Sequence, residues 1–88
     1  SLESEVIPMR IGEAVRQRIE ELCQQQNLTI NKLSNISGVT QSTVNNIVSG
    51  RNRSATISTI KKLCDGFGIT IQEFFESDLF FDLEQEVK

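Results

Sequence analysis

Thr40, Gln41, Ser42, Thr43, Asn45 and Asn46 crowd into one short stretch just after a glycine. Their hydroxyls and carboxamides donate and accept hydrogen bonds without carrying charge, so what they offer is recognition. The segment 29–50, TINKLSNISGVTQSTVNNIVSG, reads as two short helices joined by a tight glycine turn. The second helix opens with Thr40-Gln41-Ser42-Thr43. With that arrangement a small protein places one helix in the major groove of DNA.

The charge map agrees once it is resolved along the chain. The formal net charge is −3 and the pI about 4.9, which taken alone argue against nucleic acid. Residues 1–27 hold three basic and five acidic groups, residues 28–64 five basic and none acidic, and residues 65–88 one basic and seven acidic. Charges are screened within about 10 Å at moderate salt, so the local balance around 28–64 outweighs the total. The acidic C-terminal segment is expected to weaken non-specific binding.

Catalysis finds no support in the residues. The chain has no histidine, no phosphate-cradling glycine loop and no GxSxG, and nothing pairs a base with a nucleophile. Its two cysteines, Cys23 and Cys64, form no CxxC pair and cannot make a tetrahedral zinc site without histidine. They read as reduced thiols in an apolar core, which suits a cytoplasmic protein. The tail acids lack metal-ligand spacing. The expectation is no enzyme, no metal and no cofactor. No apolar run reaches the 18–20 residues that span a membrane, so no membrane role is expected.

Eighty-eight residues make one domain. A domain this small buries only about 60% of the surface its unfolded chain exposes, so its helices must be well capped. Helical spacing recurs throughout and no strand pattern persists. The stripe Ile11, Ala14, Val15, Ile19, Leu22 and Cys23 places a first helix at about 10–26. Thr29 caps a second helix with Leu33 and Ile36 as its apolar face, and Gly38 ends it. Thr40 caps a third helix over 41–49, with Val44, Ile47 and Val48 inward, and Gly50 follows. Thr56 caps a fourth, with Ile57, Ile60, Leu63, Cys64 and Phe67 apolar, and Gly68 stops it. Thr70-Ile71-Gln72-Glu73 is a capping box opening a fifth helix at about 71–76. The tail then sets Leu79, Phe80, Phe81 and Leu83 among charged residues. The expected architecture is all-α, a compact five-helix domain over residues 9–76 with an acidic aromatic tail at 77–88.

From Ile11 to Phe75, about three quarters of the chain, the sequence resembles the Xre-type helix-turn-helix domain of the lambda repressor and Cro proteins. The resemblance rests on Leu28-Thr29, Leu33, Gly38-Val39-Thr40-Gln41-Ser42-Thr43-Val44, Ile47, Gly50, Leu63-Cys64, Phe67-Gly68-Ile69 and Phe74. It implies that the third helix is the recognition helix. Gln41 then stands where the family often has an adenine-reading glutamine, and a carboxamide suits adenine N7 and N6. Ser42, Asn45 and Asn46 follow as further base readers. Thr29, Asn31, Lys32 and Thr43 are assigned to phosphate, with a thymine methyl the alternative contact for Thr43, and so are Arg51, Asn52 and Arg53 in the loop after the recognition helix. Phosphate contacts set register and salt dependence, not sequence preference. Two positions depart from the pattern. Ile30 stands where a phosphate-binding polar residue is common, leaving Asn31 or the helix amides to serve. Cys23 and Val48 replace a frequent buried Arg–Glu pair, and such a joint change to apolar groups is often neutral or stabilising.

The expected function is a sequence-specific, repressor-like transcriptional regulator acting on double-stranded DNA. A palindromic operator calls for a homodimer. Helix five and the aromatic tail are candidates for the dimer surface, or else they complete the core. The alternative is a protein-interaction module or antitoxin-like protein whose tail holds a protein partner.

Overall fold

Threonine opens four of the five described α-helices, and glycine closes two of them. The computed structural model describes residues 9–50 and 55–87. It contains α1 (Ile11–Gln26), α2 (Ile30–Ser37), α3 (Gln41–Val48), α4 (Ile57–Phe67) and α5 (Ile71–Phe75), followed by a 3-10 turn at Asp78–Phe80. Four threonine hydroxyls accept a backbone N–H three residues on: Thr29 from Lys32 at 3.1 Å, Thr40 from Thr43 at 3.3 Å, Thr56 from Thr59 at 3.2 Å and Thr70 from Glu73 at 3.0 Å. Each such cap contributes about 1 kcal/mol. The capping box is complete, because the Glu73 carboxylate accepts from the Thr70 N–H at 2.9 Å. Gly38 leaves α2 with φ +73° and Gly68 leaves α4 with φ +75°. A side chain there would be strained even though nothing crowds the missing Cβ. Asn27 takes the same left-handed role after α1, at φ 55°.

The helices close on one core. Ile19 of α1, Leu33 of α2, Val44 of α3, Leu63 and Cys64 of α4 and Phe74 of α5 are its largest fully buried side chains. α2 packs between α3 and α4, α1 crosses α3, and α4 leads into α5. Cys23 is buried, and Val48 packs against the same core from α3. Burial pushes the thiols of Cys23 and Cys64 up from their usual range, which disfavours the reactive thiolate.

Two apolar positions depart from the stripes. Ile36 is 42% exposed and Ile57 is 70% exposed. Ile57 is the first residue of α4, and helical side chains lean toward the helix N-terminus. Its side chain therefore leans away from the core that Ile60 and Leu63 enter. It stands instead at an apolar cleft of about 160 Å³ shared with Ile11, Ile47 and Phe75. In α2 the apolar face narrows to Leu33, the helix's one fully buried side chain.

The tail returns to the body. Phe80 lies on Phe75, ring centroids 4.8 Å apart, and Phe75 meets Phe74 edge-on at 4.9 Å. A single parallel bridge joins Met9 to Leu83, and the Glu84 N–H donates to the Met9 carbonyl at 3.0 Å. Arg18 of α1 ties the end of α5 down. Its Nε donates to the Phe74 carbonyl at 2.6 Å and its Nη2 to the Glu73 carbonyl at 2.8 Å.

α2 and α4 approach closely at Gly66, where a Cβ would stand 2.9 Å from the Ser37 Cβ. Gly66→Ala gains about 0.5–1 kcal/mol of helix propensity but overpacks the α2–α4 contact, which costs about 1–3 kcal/mol. A net loss of about 1 kcal/mol is expected in urea unfolding. A stabilised variant would mean that α2 and α4 separate readily.

Candidate nucleic-acid interface

Val44 and Ile47 are buried and set the rotation of α3 about its axis. That rotation leaves Gln41, Ser42 and Asn45 exposed, with Asn46 and Thr43 half-buried. The three exposed side chains lie on the first two turns, the part of a recognition helix that reaches base edges. Among the described hydrogen bonds, none engages the side chains of Gln41, Ser42 or Asn45.

The turn before α3 is held from both sides. Gly38 N–H donates to the Ser34 carbonyl at 3.1 Å, and the Ser34 hydroxyl donates to the Val39 carbonyl at 2.5 Å. Val39 is buried beneath the turn. The angle between α2 and α3 is thus fixed by one backbone hydrogen bond, one bond from the Ser34 hydroxyl and one apolar plug.

Thr40 and Thr43 form a short hydroxyl relay. Thr40 Oγ1 accepts from the Thr43 N–H and donates to Thr43 Oγ1 at 2.8 Å. The Thr43 hydroxyl proton is thereby left for an acceptor outside the protein, as a phosphate oxygen would be. Thr29 plays mainly the cap of α2, since its hydroxyl accepts from Lys32 N–H. Asn31 and Lys32 are exposed on the first turn of that helix. The Asn31 carboxamide oxygen accepts from Asn35 at 3.3 Å, which leaves its own NH2 available. Arg51, Asn52 and Arg53 lie outside the described residues.

Electrostatics favours an anion along this edge. α2, α3 and α4 carry no acidic residue in the first turn, so the positive ends of their dipoles are not offset there. α1, in contrast, neutralises itself: Arg16 pairs with Glu13 and with Glu20, and Arg18 with Glu21. The Arg16 hydrogen bond, helped by Gln17, holds the Glu13 carboxyl below its usual range. In α4, Lys61 is paired with Asp65, and this partner raises its pKa. Lys32 enters none of the described ion pairs.

The base-reading candidates Gln41, Ser42, Asn45 and Asn46 thus share one helix. Asn31 and Lys32 stand on a helix packed directly against it.

Comparison with known proteins falls on this same segment. A family model for helix-turn-helix matches residues 19–74. The HTH-type transcriptional regulator PuuR of Escherichia coli (strain K12) is 36% identical over 64 residues, and that of Shigella flexneri gives the same figures. The match covers 73% of this chain and 34% of each relative, so the chain spans about a third of their length. The crystal structure of the prophage Lp1 protein 11 aligns with a TM-score of 0.74 at 40% identity, over 85% of this chain and 99% of that one. The wild-type restriction-modification controller protein C.Esp1396I aligns with a TM-score of 0.68 over 77% and 83% of the two chains. At 16% identity, that likeness concerns the fold alone.

Proposed function

Because the chain belongs to the helix-turn-helix family, we propose that it is a sequence-specific, repressor-like DNA-binding transcriptional regulator that sets α3 in the major groove. One observation carries this reading. The exposed face of α3 is made of carboxamides and hydroxyls, on a helix whose rotation Val44 and Ile47 fix from below. Such groups match the donor and acceptor patterns of base edges. Gln41, Ser42, Asn45 and Asn46 are the readers. Thr29, Asn31, Lys32 and Thr43 hold phosphates, joined by Arg51, Asn52 and Arg53, which follow α3 in sequence. Residues 9–76 form the DNA-binding unit and 77–88 an accessory tail.

The DNA is double-stranded and the operator palindromic, read by a homodimer with half-sites about one helical turn apart. No catalytic step enters this reading. The site of action is the cytoplasm, where the DNA is. No described helix is long and apolar enough to cross a membrane. A protein partner at the tail is a second interaction, favoured by Phe81, which is 90% exposed.

Selection from a random duplex pool, with the winner titrated at several salt concentrations, tests the reading. An enriched palindrome with a steep salt slope is expected. Weak binding without enrichment would overturn it. Within that assay, Lys32→Ala should weaken binding to every sequence alike and flatten the log K against log salt slope by about 0.9, the loss of one phosphate contact. An unchanged slope would remove Lys32 from the backbone contacts.

A further inference from the structure

A second surface lies between the outer side of α1 and the returning tail. It is an open groove of about 740 Å³, with Met9 and Leu79 among its apolar lining residues. Glu21, Glu76, Asp78 and Asp82 line it as well, and Phe81 stands in it with its ring in water. Among the described lining residues the one cation, Arg18, is already engaged by Glu21 and by the two α5 carbonyls. Glu76, Asp78 and Asp82 enter none of the described ion pairs. The groove is therefore both apolar and net negative.

We infer that this groove is a docking surface for a cationic, amphipathic segment of a protein partner, anchored by an apolar side chain against Phe81 and Leu79. This deepens the assignment of the tail as an interaction surface and is independent of the DNA contacts. Three physical points select the occupant. Nucleic acid is repelled by the same carboxylates. No three of the described carboxylate or thiol groups come together as a metal site, so the charges are spread along the groove rather than focused on a point ion. An open trough also buries too little of a small ligand, whose sites enclose most of its surface. An extended Lys- or Arg-bearing segment meets all three conditions. Its charges would face Glu76, Asp78 and Asp82, and a guanidinium over the Phe81 ring adds a cation–π contact.

The test is selection of dodecapeptides from a random phage-displayed library on the full chain, followed by anisotropy titration of the winning peptides. Winners should be basic with an apolar anchor. Phe81→Ser should weaken them at least tenfold, and so should the pair Asp78→Asn and Asp82→Asn. Phe81→Ser alters an almost fully exposed side chain, so its fold should be intact by circular dichroism and its DNA affinity unchanged. Neutral or acidic winners, winners indifferent to Phe81, or no winners would overturn the inference. So would self-association in sedimentation that Phe81→Ser abolishes, because the occupant would then be a second copy of this chain. Loss of DNA binding in the unaltered protein would count against the proposed function and leave this result standing.

Discussion

Gln41→Ala is expected to lower affinity for the selected operator by about 5- to 150-fold and to flatten the preference at one base pair in each half-site. The figure is the roughly 1–3 kcal/mol that one bidentate carboxamide–base pair contributes to discrimination. Three structural facts single out this position on the proposed DNA face. Gln41 is the first residue of α3 and exposed. The Thr40 hydroxyl caps the helix immediately before it, so its backbone is fixed before DNA arrives. The Ser34–Gly38–Val39 bonds set the angle at which the helix leaves the turn. Alanine keeps the helix and the cap and removes only the carboxamide. The salt slope should therefore stay the same while specificity falls, the reverse of Lys32→Ala. If Gln41→Ala weakens all sequences equally and changes the slope, Gln41 is a phosphate contact and the register of α3 must be shifted.

The contrast between these two variants shows what was legible in the chain before its structure. Four helix starts and two helix ends were marked locally. Thr29, Thr40, Thr56 and Thr70 are caps because a hydroxyl reaches the third amide of the helix it begins, a relation that short sequence spacing contains. Gly38 and Gly68 end helices for an equally local reason, the left-handed φ. The exposed face of α3 follows from Val44 and Ile47 by helical period alone. What periodicity does not contain is which member of a stripe a neighbour covers. Ile57 and Ile36 fit their stripes and are still exposed, because burial depends on elements remote in sequence. The tail was illegible for the same reason. Leu79 and Phe80 sit among charges with no repeat to follow. Their placement depends on Phe75 and on the bridge between Met9 and Leu83, more than seventy residues apart. Arg18 likewise reads as one charge on an amphipathic helix, yet it holds the carbonyls of a helix 55 and 56 residues away.

That long-range closure makes Phe74 the position where a single change should do most harm. Phe74 is fully buried and touches the rings of Phe75 and Phe80. It is the one buried side chain of α5, a helix of five residues that is far too short to persist by itself. Phe74→Ala is expected to cost about 3–5 kcal/mol, the transfer and cavity loss of a core phenylalanine. A domain of this size has only about 5–10 kcal/mol in total, so the variant should sit near the edge of unfolding. At about 4–8 °C per kcal/mol, the thermal midpoint should fall by roughly 15 °C or more. Phe81→Ser, seven residues on and 90% exposed, is the internal control and should shift the midpoint by less than about 0.5 kcal/mol equivalent. A Phe74→Ala midpoint close to the control would mean that α5 and the tail peel away from α1 in solution, with Arg18 unable to hold them. If the expected loss is found, DNA binding should survive below the lowered midpoint, because Phe74 lies outside α2 and α3 and supports their surface only through the core they share.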